Sequence, residues 1–288
     1  MPSATGSTHG GQTTSVNGPT GILRDFAIRG YALAKVLNGE DDVATVAETP
    51  VMWSVLKGAH PTIFAAIEAS DRDVSVVART DAGVRMPADL AGKRIGMVPG
   101  TNHEYFLDLF LGVNKIAPAS VTIVPVTMAD GADALASGRI DALSSWVTAR
   151  ARLRAAIPDQ IVIFPNDGIY LELWTLTARP EFLKARPETA RRLLRALIAA
   201  ERYTAAHRAD AIAIVAPHIG LDTAAVERIW DDFGFNVSLD QSVVANLEGE
   251  ARHEIKNRPG AAGPDFFKNI SADALTAVDP GRVTIILP

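Results

Sequence analysis

The sequence has no cysteine in 288 residues. Disulfides, thiolate metal sites and a cysteine nucleophile are excluded at the outset. Clustered histidine is missing too. The six histidines stand at 9, 60, 103, 207, 218 and 253, with no H-x-x-x-H or other metal-ligand spacing, so no metal site is expected. Basic charge is not in excess: 28 Lys and Arg face 33 Asp and Glu, a net charge of −5. That balance carries no electrostatic footprint of nucleic-acid binding. No apolar run approaches the ~18–20 residues that would cross a bilayer. Residues 1–21 (MPSATGSTHGGQTTSVNGPTG) lack a basic stretch followed by an apolar one, so they do not read as a secretory signal. They are rich in Gly, Ser, Thr and Asn and too poor in apolar side chains to order themselves, so a disordered tail is expected there.

What is present is hydrophobic material, 48% of the chain, enough for one large core or two smaller ones. The most informative stretch is Lys93–Val113, KRIGMVPGTNHEYFLDLFLGV. An apolar β-run, Arg94–Val98, meets a Pro-Gly turn. Phe106, Leu109, Phe110 and Val113 then recur at i, i+3, i+4, i+7, the spacing of one helix face. Thr101 and Glu104 have the S/T-x-x-E spacing of a capping box, which starts the helix at Thr101. A strand that turns through glycine into a helix N-terminus leaves backbone N–H groups and the positive end of the helix dipole facing outward, which suits an anion.

Elsewhere strands and helices alternate. Ile22–Leu37 reads as a helix stopped by Asn38-Gly39, and Val43–Ala47 as a buried strand. Thr49 fits a helix N-cap with Pro50 at the first helical position. Thr62–Ile67, Val74–Arg79, Val121–Val126, Ile140–Ser144, Ile161–Phe164 and Leu171–Thr177 read as strands. Ser145 suits the cap of a helix starting at Trp146. This rhythm predicts parallel sheets covered by helices. From Arg179 the pattern is mostly helical: Pro187–Ala216, Thr223–Asp232, Asp240–Ile255 and Ala272–Ala277, ending in a strand at Val283–Leu287.

The order of these motifs resembles the substrate-binding proteins of ABC importers for nitrate, sulfonates and taurine, including the related thiamine-pyrimidine-precursor type. The resemblance runs through LNGEDDVATVAETP (37–50), DVSVVARTDAGVRMPADLAGKRIGMVPGT (73–101), ALASGRIDALSSW (134–146) and DALTAVDPGRVTI (273–285). It implies a two-lobed α/β fold of the periplasmic-binding-protein-like type II, with a hinge between the lobes. Against that pattern the first βαβ unit of lobe one is expected to be lacking from the sequence as given. The implied division is 22–80 plus 172–288 for lobe one and 81–171 for an inserted lobe two. The crossings then fall near Val77–Asp81 and Leu171–Thr177. The implied function is capture of a small anionic solute for a permease of the inner membrane, by a monomer in the periplasm. No cofactor and no catalysis are implied.

Ligands of open α/β sheets sit off the carboxyl ends of the strands. Here those ends offer Glu48 and Thr49, then Gly100, Thr101, Asn102 and His103, then Ser145 and Trp146. Gly100 is assigned to close backbone approach, and the amides of Thr101–His103 to the anionic head group. Thr101 and Thr49 also have a purely structural use as caps. Trp146 and Trp53 are candidates to flank an organic tail, with Tyr170 and Trp174 nearby. Glu48 does not suit an anion and would instead read an amine, as in an amino-sulfonate, or point away. Among enzymes, the sulfinate desulfinases resemble this family, but the resemblance implies a cysteine that this chain lacks. The pyrimidine-synthase branch implies a histidine-rich iron site that the scattered histidines do not supply. A non-transporting sensory or interaction paralogue is the other alternative.

Overall fold

The computed structural model describes residues 15–18, 21–24, 31–256 and 263–288. In chain order, β1 (Ser15–Gly18) and β2 (Gly21–Arg24) form an antiparallel pair. Ser15–Gly18 was expected in a disordered tail, and Ile22–Arg24 in a helix. The helix itself, α1, runs only from Tyr31 to Leu37, and 25–30 lie outside the described residues. Next come β3 (Val43–Ala47), α2 (Glu48–Leu56), β4 (Thr62–Ser70) and β5 (Ser75–Arg79). These are followed by β6 (Arg94–Met97), α3 (Asn102–Val113), β7 (Thr122–Pro125), α4 (Gly131–Ala136), β8 (Ala142–Ser145), α5 (Val147–Ala156) and β9 (Ile161–Phe164). The chain closes with β10 (Glu172–Ala178), α6 (Pro180–Ala185), α7 (Pro187–Ala206), α8 (Arg208–Ile219), α9 (Thr223–Ile229), β11 (Gly234–Ser238), α10 (Gln241–Ile255) and α11 (Asp273–Val278).

Two larger sheets organise these elements, with strand orders β11-β4-β10-β3 and β7-β6-β8-β5-β9. The fold is therefore α/β with two sheets, as expected, but the strand directions differ from expectation. Every pair in the four-stranded sheet is antiparallel. The reason is topological: β3 and β4 run the same way, but β10 returns from the second sheet and inserts between them. In the five-stranded sheet β6 is parallel to β7 and β8, while β5 is antiparallel to β8 and β9.

The chain passes between the sheets twice, at 71–74 and at 165–171. Val77–Arg79 and Glu172–Thr177, expected at crossings, are instead ladder residues of β5 and β10. Residues 75–79 consequently pair within the five-stranded sheet. Each sheet has its own core. Phe64, Met52, Ile63, Leu176 and Phe266 anchor the first. Phe106, Phe110, Ile95 and Leu90 fill one face of the second sheet, and Leu135, Ile140, Leu143 and Leu153 the other.

The long helix expected over Pro187–Ala216 breaks at His207, which ends α7 and begins α8. After the break Ala211, Ile212 and Ala216 turn to pack on Val226 and Trp230, a small cluster of their own. The expected last strand makes only a single bridge, Leu239 with Val283. β11, which follows α9 directly, takes the edge position instead.

Candidate functional site

The turn after β6 delivers α3 as its sequence foretells. Thr101 is the N-cap and its Oγ1 accepts from the His103 amide at 3.3 Å. The same hydroxyl donates to the Val98 carbonyl at 2.7 Å, so both of its roles are local. Glu104 reaches back to the Gly100 amide at 3.0 Å, one residue before the position that a regular capping box uses. Gly100 sits at φ +71°, and no protein atom lies within 4 Å of where a Cβ would stand. Its left-handed backbone alone accounts for glycine there. Asn102 is 3% exposed, yet its Nδ2 finds no hydrogen-bond partner among the described residues.

The start of α2 is different from expectation. The N-cap is Ala47, not Thr49, and Glu48 is the first helical residue. Glu48 is fully buried, accepts the Tyr170 hydroxyl proton and takes the Leu173 amide at 3.0 Å. The Thr49 hydroxyl donates to Glu250 Oε1 at 2.6 Å. Burial pushes the Glu250 carboxyl well above its ordinary value, and the neighbouring Glu48 charge pushes it further. Burial likewise raises Tyr170, with Glu48, Glu250 and Glu172 adding to it. Glu48 and Thr49 thus hold the chain's own groups. Glu250 escaped the sequence reading, although a signal existed: with Val243, Leu247 and Ala251 it lies on the buried stripe of α10.

At the end of β8, Ser144 Oγ donates to the His103 carbonyl at 3.2 Å, tying β8 to the start of α3. Trp146, not Ser145, is the N-cap of α5. Ser145 Oγ is buried without a hydrogen-bond partner. The carboxylate that meets the first amide of α5 belongs to Asp73, on the crossing: Asp73 Oδ1 accepts from Val147 N at 3.0 Å. Arg150 grips the same crossing through the carbonyls of Arg72 (2.7 Å) and Asp73 (3.0 Å), Ser75 Oγ (3.0 Å) and Asp232 (3.2 Å).

His103 and Trp146 come together, ring centroids 3.4 Å apart. Trp146 opens onto a pocket of about 560 Å³ lined by the four-stranded sheet and by the start of α5, just past β8. Thr45, Glu68 and Trp174 on the four-stranded sheet form its floor, α7, α8 and α9 cover it, and Trp146–Thr148 close one end. Gly100 lies elsewhere, on a second pocket of about 540 Å³ beside Pro50 and Trp53. The expected site residues are therefore divided. Trp146 borders the first pocket and stacks on His103, Gly100 and Trp53 border the other, and Glu48 and Thr49 are buried against α10.

Residues 28–211 match the family model described as NMT1/THI5 like. The chain belongs to this family. A binding protein of Brucella abortus (strain 2308) is 26% identical over 148 residues, half of this chain and 46% of that protein. The chain thus aligns with less than half the length of that relative. Among solved structures, the periplasmic aliphatic sulphonate binding protein SsuA of Escherichia coli superposes with a TM-score of 0.70 at 16% identity, covering 80% of each chain. The desulfurization enzyme DszB shares the fold as well, with a TM-score of 0.62 at 18% identity, covering 82% of this chain and 84% of that one. At such identities the likeness is one of fold, and that fold is the periplasmic-binding-protein-like one.

Proposed function

We propose that this chain is the solute-binding component of an ABC importer, acting outside the cytoplasm and handing a small solute to a membrane permease. In this reading the two sheets are the two lobes, joined at 71–74 and 165–171. The observation that carries it is a pocket lined by the four-stranded sheet and by Trp146 at the end of β8, together with two buried polar groups without partners next to the Trp146–His103 pair. Ser145 immediately precedes Trp146, and Asn102 immediately precedes the His103 that stacks on Trp146. A buried polar atom without a partner costs about 1–3 kcal/mol, which a bound solute would recover. The family and the sulfonate-binding neighbour support a sulfonate-like head group, taken at the amide end of α3 with the Asn102 side chain. The ends of α2 and α5 are less suited, because Glu48 and Asp73 already place carboxylates there. Binding without turnover is the proposed activity, since the chain has no cysteine to serve as a desulfinase nucleophile.

Calorimetric titration of the whole chain with taurine, alkanesulfonates and nitrate tests this. Binding of one of them, weakened about tenfold in Asn102→Leu, is the expected result. No heat with any of the three, or undiminished affinity in Asn102→Leu, removes the α3 terminus from the site.

A further inference from the structure

Helices α8 and α9 with the turn after them carry an apolar cluster of their own, which ends in Trp230 and is separate from the core of the four-stranded sheet. Between this cover and the sheet the protein keeps about 560 Å³ open. Leu197, packed on the core of the sheet, and Val215, packed on the cluster of the cover, both line that space. Trp174 on β10 and Phe235 on β11 stand opposite Glu68, one on each side, and cross-strand partners share a face of the sheet. Trp230 packs on Phe235 with ring centroids 5.2 Å apart. Ile219 and Leu221 border the same space and are exposed, which puts its mouth at the turn between α8 and α9. The charges at this pocket are already in use. Asp73 meets the first amide of α5, Glu201 is gripped by Arg282 at 2.8 and 2.9 Å, and Glu68 has an interaction of its own within the protein. No lysine, arginine or histidine borders the pocket among the described residues.

We infer that this pocket binds an uncharged aromatic body. The inference rests on the solute-binding reading and names the part of the solute that lies away from the head group. Three physical terms favour it. Apolar surfaces inside a protein close up to crystal-like density, and a gap held open between two of them forfeits the dispersion contacts of its walls. An apolar guest restores those contacts, as a dry apolar cavity takes up benzene. An ion would give up its hydration and find every counter-charge at the pocket already engaged. The rings of Trp174, Trp230 and Phe235 offer edge and offset-stacked contacts, which favour an aromatic guest over an aliphatic one of equal area. A volume of about 560 Å³ lies in the range of pockets for small organic ligands.

The test is calorimetric titration of the whole chain at several temperatures. Naphthalenemethanol and naphthalenemethylammonium share one ring system and differ in charge, while methanesulfonate carries the head group alone. The parent protein is expected to bind the alcohol at least about tenfold more tightly than the ammonium probe, with the negative heat-capacity change of apolar burial. Naphthalenesulfonate, which joins body and head group, should bind at least about tenfold more tightly than methanesulfonate. Ala200→Trp from α7 and Val215→Trp from α8 each fill the pocket, and each should weaken the alcohol at least about tenfold. Equal affinity for alcohol and ammonium in the parent overturns the inference, and so does undiminished alcohol binding in a folded filling variant. The parent measurement stands even where both variants fail to fold. Methanesulfonate binding without alcohol binding sinks this inference and leaves the head-group reading intact. Alcohol binding without methanesulfonate binding keeps the aromatic pocket and strikes the head-group reading.

Discussion

Glu250 sits where a charge is least welcome, sealed between α10 and α2 with Glu48 close by. Its carboxyl is pushed above the ordinary 4.5, first by burial, so the folded chain holds that proton more tightly than the unfolded one. As pH rises past 4.5 the unfolded chain releases its proton first, and stability falls until the folded carboxyl also ionises. Asp141, held down mainly by Arg94, works the opposite way but only below its ordinary 3.8. Thermal melts between pH 5 and 8 should therefore show decreasing stability with rising pH. Glu250→Gln, which keeps an acceptor for Thr49, should flatten that slope and raise the melting temperature at pH 8; an unchanged slope would refute this assignment. At the α3 turn, Gly100→Ala places a Cβ in open space but holds it at φ +71°. The expected cost is about 1–2 kcal/mol of backbone strain, read from denaturant midpoints. Thr101→Ala should cost a similar amount, about 0.5–2 kcal/mol, as the helix loses its cap.

Helices α5 and α10 each hold both halves of the molecule. Arg150 on α5 binds three acceptors on the crossing at 71–74 or at the start of β5, two of them buried, and also Asp232. Replacing Arg150 with Met leaves those carbonyls and Asp232 without their donor, at a cost of about 3–5 kcal/mol. Lysine should not rescue it, because a single ammonium cannot copy the fork of the guanidinium. Equal unfolding midpoints for parent and Arg150→Met would show that the crossing does not depend on this clamp. On α10, Gly249 lets the Tyr105 ring of α3 lie against the backbone: an added Cβ would stand 2.4 Å from the Tyr105 hydroxyl. Gly249→Ala must push Tyr105 away, which disturbs its edge contacts with Tyr170 and His253. Tyrosine-to-phenylalanine change at 105, which deletes that hydroxyl, should restore part of the stability lost in Gly249→Ala.

For the whole molecule, the contact between α3 and α10 is a latch across the two sheets. Asp108 on α3 meets His253 on α10 and Lys256 at its C-cap, each at 3.1 Å. These pairs are partly exposed and worth little to stability, but they are made only while the two halves are close. Asp108→Ala is therefore expected to leave the melting temperature nearly unchanged and to increase the radius of gyration in small-angle scattering. In the solute-binding reading proposed above, a bound solute should reverse that increase by closing the hinge. Identical scattering curves for the parent and Asp108→Ala would show that other contacts hold the cleft shut.

Local physics was enough for the strands β3 and β9, whose bounds follow from their apolar runs, and for the cap of α3 at Thr101. The family resemblance added the two-sheet architecture, because motif order is written along the chain. The sequence alone did not decide how β10 enters between β3 and β4, which makes that sheet antiparallel throughout. Pairing partners are chosen by burial of whole elements, and no single stretch encodes it. The break at His207 left no mark either, since no glycine or proline stands there and only the packing of α8 on α9 rewards it. The candidate site residues could be read from the sequence only as a set of helix ends. How those ends are used was a tertiary matter: Asp73, 74 residues before the Val147 amide it meets, reaches the start of α5 from far along the chain, and Glu250, 201 residues after Thr49, takes the Thr49 hydroxyl. The ring of aromatic residues around Glu68 arises the same way. Trp174 comes from β10 and Phe235 from β11, and only the register of the folded sheet places them on either side of Glu68 of β4.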